Sequence, residues 1–303
     1  MKLTNRFNLP DEVVQAVASS KYTPGGDISV TSLLLPPRIR ILRKRHWNEI
    51  EEDVSDRLWS LYGQIVHGLL ERTDDWQAFH EERMAVQVKG WTLTGQADLY
   101  KRKADGQHVL RDYKFVSVAS YSAGTRHDWV AQVNIYSWMW RKNGFPVDLA
   151  QLVLLFRDWR KREFERSQGT YPPPVQIVDV PLWDDDFTED FVGCLIHVHR
   201  TAEDLPDDQL PLCSPEDRWE RGKGWAVMRE GRKKAIRLCP TEDEALQAAA
   251  KLGQDHYVVE RPGEQVRCLY FCNVKPFCDF GVKLETQKDD SLETEEKVSP
   301  SNA

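Results

Sequence analysis

Residues 92–115 read TLTGQADLYKRKADGQHVLRDYKF, and the fold turns on this stretch. Apolar and β-branched residues run through Thr92–Tyr100 and Val109–Phe115, which predicts two strands joined by a turn at Asp105-Gly106. A third strand is predicted just upstream, at Met84–Val88. Side chains repeat every second residue along a strand, so Asp112 and Lys114 share a face. Asp98, on the neighbouring strand, reaches the same space. Ala97, Leu99, Val109, Leu110 and Phe115 make these strands apolar, and a carboxylate in such surroundings needs a partner or an ion.

Helices are predicted on both sides. Upstream, Leu58, Leu61, Tyr62, Ile65, Val66, Leu69 and Leu70 recur near helical spacing, which predicts one long helix from about Glu49 to Arg72. It carries Gly63-x-x-x-His67, and the missing side chain of Gly63 would allow a close approach to the sheet or to substrate. Downstream, Trp129–Trp140 is helical, closes at Gly144, and puts Gln132 and Tyr136 on one face. Strands at Leu152–Arg157 and Gln176–Val180 flank a Pro-rich loop at Tyr171–Pro174, and Asp184–Ala202 is a further helix. Helix, three strands, helix, strand describes an α/β core with a mixed central sheet. At the N-terminus a short helix, Asp11–Ser20, precedes a Pro24-Gly25-Gly26 turn.

The 303 residues are 41% hydrophobic, with 11 Trp, 9 Tyr and 11 Phe, enough to bury a full core and to exclude disorder of the whole chain. No apolar run approaches the roughly 18–20 residues of a membrane span. The first residues lack an apolar signal core, so a cytoplasmic protein without a membrane partner is expected. Six cysteines in that setting read as thiols or metal ligands rather than disulfides. Net charge is −7, but Glu285–Ala303 holds six acids and two bases, which leaves −3 on the rest. Basic clusters stand out at Arg38, Arg40, Arg43, Lys44 and Arg45, at Arg157, Arg160, Lys161 and Arg162, and at Arg229, Arg232, Lys233, Lys234 and Arg237. The balance permits a nucleic-acid partner without demanding one.

Beyond Leu210 the texture changes. A hairpin at Trp225–Arg229 and Lys234–Leu238, a helix from the Thr241/Glu244 capping box to Leu252, and a strand at His256–Glu260 make a small ββαβ unit. It lies between Cys213 and the compact run Cys268-x3-Cys272-x5-Cys278. Four thiolates fit a [4Fe–4S] cluster or a tetrahedral Zn2+; buried structural thiols are the plain alternative. Cys194 and Cys239 read as packing residues. The expected divisions are 1–26 (helix and turn), 27–211 (core), 212–284 (cysteine-cluster region, insert 219–262) and 285–303 (disordered acidic tail).

Two carboxylates and a histidine are ligands suited to Mg2+ or Mn2+ with open water positions. A lysine beside them can orient or deprotonate a water and neutralise charge on a phosphoryl oxygen. Acid, acid and lysine on one sheet edge is therefore an arrangement for phosphodiester hydrolysis.

Taken in order, Gly63/His67, Gly95/Asp98, Asp112/Lys114 and Gln132/Tyr136 resemble the RecB-type branch of the PD-(D/E)XK nuclease superfamily, which includes CRISPR-associated and phage recombination exonucleases. The resemblance covers about residues 28–160, including Ser29–Leu33 and Pro36-Pro37. It implies a restriction-endonuclease-like core with a mixed central sheet flanked by helices, plus the C-terminal cysteine-cluster region. It implies a Mg2+- or Mn2+-dependent DNA nuclease, an exonuclease on single-stranded DNA or duplex ends. The setting would be recombination, phage replication or CRISPR-type processing, with a recombination or CRISPR protein as partner. A structure-specific endonuclease and a non-catalytic DNA-end-binding module are the alternatives. By resemblance Lys114, Asp112 and Asp98 are catalytic. His67, Asp98, Asp112 and the Tyr113 carbonyl bind metal, and Gln132 and Tyr136 contact DNA or support the site. Glu82 is a candidate additional acid. The family's iron–sulfur staple favours iron at Cys213, Cys268, Cys272 and Cys278. The C-x3-C spacing and the lack of any cysteine before Cys194 depart from its pattern, which leaves zinc open.

Overall fold

The computed structural model describes residues 1–19, 25–72, 78–122, 124–232 and 234–286. Ser20, Pro24, Lys233 and, of the expected disordered tail, residues 287–303 lie outside the described residues. The chain divides into two compact units, Met1–Arg40 with Glu51–Asp204 and Ile41–Ile50 with Leu205–Ala303.

The first unit begins with β1 (Lys2–Thr4), α1 (Asp11–Ala18), β2 (Ile28–Ser29), α2 (Val30–Leu33) and the first residues of α3 (Pro37–Arg45). β3 (Glu51–Asp53) then pairs in parallel with β1. The helix expected from Glu49 starts only at Leu58, as α4 (Leu58–Leu70). Asp53 is the reason. Its buried carboxylate accepts the Thr4 hydroxyl at 2.9 Å and the amides of Arg6 at 2.8 Å and Ser55 at 3.0 Å. It thereby caps a 3-10 turn over Val54–Arg57 and holds Glu51–Asp53 extended.

The chain next forms β4 (Ala78–His80), β5 (Arg83–Val88), β6 (Trp91–Gln96) and β7 (Leu99–Arg102). Lys89 and Gly90 both hold positive φ, 47° and 81°, the pair of left-handed residues that a two-residue hairpin turn requires. β5 and β6 pair across that turn with Arg83 opposite Gln96, and β4 and β7 continue in the same register with His80 opposite Leu99. The four strands are thus one hairpin interrupted once, at Glu81–Glu82 and Ala97–Asp98. The single strand expected over Thr92–Tyr100 is therefore two. Glu81, at φ 52°, leaves the extended conformation there. On one side of the break β6 runs between β2 and β5; on the other, β7 joins a five-stranded sheet.

That sheet is completed after β8 (His108–Val116), α5 (Val118–Ser122) and α6 (His127–Lys142) by β9 (Leu149–Phe156) and, beyond α7 (Lys161–Arg166), by β10 (Val175–Val180). Its order is β10-β9-β8-β7-β4, and only β8 and β9 are parallel neighbours. A parallel pair needs a crossover, which α5 and α6 supply. α6 runs through the core, with every residue from Val133 to Trp140 buried. It packs on β5, β6, β8, β9 and β10 and on α8 (Asp185–Glu203). Trp138 and Trp140 are at most 1% exposed, so truncating either to Ala costs about 3–5 kcal/mol. The expected mixed α/β class, sheets flanked by helices, is what this unit shows.

The second unit contains β11 (Glu220–Arg221), β12 (Gly224–Arg229), β13 (Arg237–Cys239), α9 (Glu242–Leu252), β14 (His256–Arg261), β15 (Glu264–Gln265) and α10 (Val266–Tyr270). β13, β12 and β14 form a sheet in that order. Val227, Cys239, Ala245, Ala248 and Ala249 make the core between sheet and α9. The Thr241 hydroxyl accepts from the Glu244 amide at 3.3 Å, as the capping box predicts. Among the described residues no helix is long and apolar enough to cross a membrane.

Candidate active site

Two turns set the site. The Lys89-Gly90 register, held on both sides of the hairpin break, leaves Glu81 opposite Asp98, and the Glu81 amide donates to the Asp98 carbonyl at 3.4 Å. β7 and β8 pair with Leu99 opposite Arg111, so one step further along this register Asp98 meets Asp112. Glu81, Asp98 and Asp112 therefore form a row across three strand segments. Like charges so close are mutually repulsive, and the protein sets a cation at each end.

At one end is His67 of α4. Its Nδ1 lies 3.2 Å from Asp98 Oδ1 and 3.5 Å from Glu81 Oε1. The hydrogen bond to Asp98, then that to Glu81, raises its pKa to about 10 against the desolvation that lowers it. His67, Glu81 and Asp98 offer ligand atoms that all lie within 4.8 Å of one another. Both carboxylates are held in turn: Gln96 Nε2 donates to Glu81, and the Tyr113 amide donates to Asp98 Oδ2. Tyr113 also sets its ring edge-on to His67, centroids 6.4 Å apart.

At the other end is Lys114. Its Nζ is 2.6 Å from Oδ2 of Asp112, a residue 2% exposed, and that oxygen has no hydrogen-bond partner in acceptable geometry. Burial pushes the Asp112 carboxyl up, the Lys114 charge pulls it back, and the Asp98 charge pushes it up again. Lys114 donates to Gln132 Oε1 at 2.8 Å, and Gln132 Nε2 donates to the Tyr136 hydroxyl at 3.0 Å. The i, i+4 pair on α6 thus steadies the lysine. Gly95 explains how α6 comes so near: a Cβ there would sit 2.8 Å from Tyr136 Cε1 and 2.9 Å from Met139 Sδ. Gly63 has no such role. A Cβ on it would meet nothing within 4 Å, so α4 does not approach the sheet closely at Gly63, and the alternative expectation, an approach of substrate there, is left open by the same free space.

The donor set fits a divalent cation. Three carboxylates against an imidazolium and an ammonium leave one negative charge, in a row whose Asp112 carboxylate is buried. Nitrogen and carboxylate oxygen suit Mg2+ or Mn2+. A cation there competes with the His67 proton for one lone pair. Asp112 lies outside the 4.8 Å group but is close enough to feel the charges of Asp98 and His67. Tyr113 meets the group through its amide. The acid in the row is Glu81, which no sequence motif marks, whereas Glu82, the candidate additional acid, is exposed. The signal was present in the Lys89-Gly90 turn, since counting outward from it pairs residue 81 with residue 98.

In the second unit, Cys213, Cys268, Cys272 and Cys278 sit near enough to influence one another. Burial, then the neighbouring charges, pushes the Cys213 thiol up to about 12 and Cys268 to about 11. No three of these sulfurs fall within 4.8 Å of one another. Tetrahedral zinc with bonds of about 2.3 Å would bring its sulfurs to roughly 3.8 Å.

A family model for the PD-(D/E)XK nuclease superfamily matches residues 28–279. The crystal structure of SSO0001 is similar over 64% of this chain and 86% of that one, at 17% identity and a TM-score of 0.45. No curated protein matches the chain.

Proposed function

Since the chain belongs to the PD-(D/E)XK nuclease superfamily, we propose that it digests DNA from an end, as an exonuclease of the RecB-type branch acting on single strands or duplex ends. The observation that carries this reading is the row Glu81–Asp98–Asp112 with His67 at one end and Lys114 at the other. His67, Glu81 and Asp98, with Asp112 beside them, would hold Mg2+ or Mn2+. When bound, such an ion lowers the pKa of a water and stabilises charge on a phosphoryl oxygen. The side chains do the rest. Asp112 and Gln132 hold the Lys114 ammonium at the edge of the row, where it orients the attacking water and neutralises the developing charge. Tyr136 fixes the Gln132 amide so that its oxygen faces the lysine. The four motifs in their order support the RecB-type branch, and with it a place in recombination, phage replication or CRISPR-type processing. There the protein works in the cytoplasm beside a recombination or CRISPR partner. At Cys213, Cys268, Cys272 and Cys278 we favour a [4Fe–4S] cluster over zinc, on the resemblance to the RecB-type branch and its iron–sulfur staple.

The test is cleavage of end-labelled single-stranded and duplex DNA by protein purified anaerobically, in Mn2+, Mg2+ or chelator, with Lys114→Ala beside it. The expected result is a metal-dependent ladder from one end that the variant lacks. Internal cuts at junctions would make it a structure-specific endonuclease. DNA binding without cutting under any metal would reduce it to an end-binding module.

A further inference from the structure

The basic cluster at Arg157–Arg162 has no part in the site above, and α4 carries an apolar face that its packing leaves uncovered. Trp59, Tyr62, Ile65 and Leu69 are 54%, 41%, 51% and 59% exposed. The two features meet. The Arg157 guanidinium lies over the Trp59 ring at 4.1 Å, and the Tyr62 ring stands edge-on to Trp59 with centroids 5.6 Å apart. Arg157 is itself anchored to the catalytic strand: its amide donates to the Val116 carbonyl at 3.0 Å. Val116 is two residues past Lys114, about 7 Å along the strand. Trp59 is eight residues before His67 on α4, about 12 Å along the helix axis.

We propose that Trp59 and Arg157 form a subsite for single-stranded nucleic acid, in which an unpaired base stacks on the indole–guanidinium pair and Arg157 contacts its phosphate. The proposal rests on the nuclease reading and names the form of substrate that site takes. Charge argues for a polyanion rather than a protein: among the described residues neither Arg157 nor Arg160 has an acidic partner in ion-pair range. Chemistry argues for unpaired bases. An aromatic face under a guanidinium offers a stacking platform that every base can use, whereas bases inside a duplex keep their faces to themselves. Beside Arg157 lies an open cavity of about 330 Å3 in which Arg160 stands with two carboxylates, Asp158 and Glu163, so the phosphate contact is assigned to Arg157 and not to this cavity. A strand lying along α4 therefore runs from this platform to the row of acids, a distance of three or four stacked nucleotides at about 3.4 Å each.

The experiment measures binding of the full chain to a fluorescein-labelled dT15 strand and to a blunt 20-base-pair duplex, in chelator so that nothing is cut. Trp59→Ala, Trp59→Phe and Arg157→Gln are compared with the unmutated protein. Trp59→Ala is expected to weaken single-strand binding roughly 5- to 150-fold, the range that loss of one stacked base gives. Duplex binding should change far less, and Trp59→Phe should restore most of the loss. Arg157→Gln should lower the slope of log Kd against log salt by about 0.7. Equal affinities of Trp59→Ala and the unmutated protein for dT15 overturn the subsite, and so does an equal loss on strand and duplex. If the apolar face instead pairs two copies of the chain, size-exclusion chromatography will show Trp59→Ala eluting as the smaller species, which also overturns it. The failures are separable. An unmutated protein that neither binds nor cuts DNA defeats the nuclease reading itself, whereas one that cuts, with Trp59→Ala binding unchanged, defeats only the subsite.

Discussion

Asp112 and Lys114 depend on each other, and that dependence complicates any single substitution. Lys114→Ala removes the ammonium to which the proposed chemistry assigns the attacking water and also leaves a carboxylate 2% exposed with no cation beside it. Stranding a buried charge in this way is strongly destabilising. Gln132→Ala separates the two effects, because it leaves the ion pair in place and frees only the lysine's orientation. We expect kcat to fall about 10- to 100-fold in Gln132→Ala, with the Tm near that of the parent and the Mn2+ concentration dependence unchanged. A drop in Tm as large as that of Lys114→Ala would show that the glutamine acts on folding instead. At this scale the sequence was informative wherever spacing within one element decides. Asp112 with Lys114, and Gln132 with Tyr136, follow from periods of two and of four. Glu81 does not, because its place depends on pairing between strands. Pairing is fixed by a turn eight residues away, and reading that turn would have chosen residue 81 over residue 82.

Gly95 shows how one element disciplines another. The helix α6 can press Tyr136 and Met139 on β6 only because that residue has no side chain. A methyl group at 95 must displace both, at a cost of about 1–3 kcal/mol. It must also move the tyrosine that holds Gln132. We expect Gly95→Ala to unfold at lower urea and to lose kcat, while Gly63→Ala, in the interior of α4 with its added methyl meeting nothing, unfolds at the same or higher urea. Equal midpoints for the two variants would contradict the packing account. Helices with long apolar periods were legible, and α6 and α8 lie within two residues of their predicted ends. The break in the hairpin was not, since Ala97 and Asp98 continue an unbroken run of strand-forming neighbours. What interrupts it is Glu81, whose φ of 52° takes it out of the extended conformation opposite Asp98. The Glu49–Asp53 stretch has a helix-compatible sequence but is not helical, because the Asp53 side chain finds its partners almost fifty residues earlier in the chain.

For the molecule as a whole, Asp53 ties the N-terminal strand to the first unit. The Arg6 amide, followed by its other hydrogen bonds, holds the Asp53 carboxyl well below the usual carboxylate range. A folded-state pKa that lies below the unfolded one contributes stability present above the unfolded value, near pH 4, and lost as pH falls through the folded one. Acid should therefore release β1 first. We expect amide exchange at Lys2–Thr4 to accelerate below about pH 4 before the core opens, and Asp53→Asn to flatten that dependence. Exchange that quickens uniformly across the unit would assign the acid lability elsewhere.

The Tyr113 amide bonded to the Asp98 carboxylate has a consequence for descent. Asp98 accepts a strand amide that would otherwise need a carbonyl, so it has a duty to the fold apart from any chemistry. A lineage that abandoned catalysis would still be under selection to keep it. Asp112 and Lys114 are bound differently: either one alone is a liability, whereas both can be exchanged together for an apolar pair. Silent cousins of this protein should thus be recognisable by a coupled loss at 112 and 114 beside a retained acid at 98. The surviving aspartate by itself would be no witness to activity.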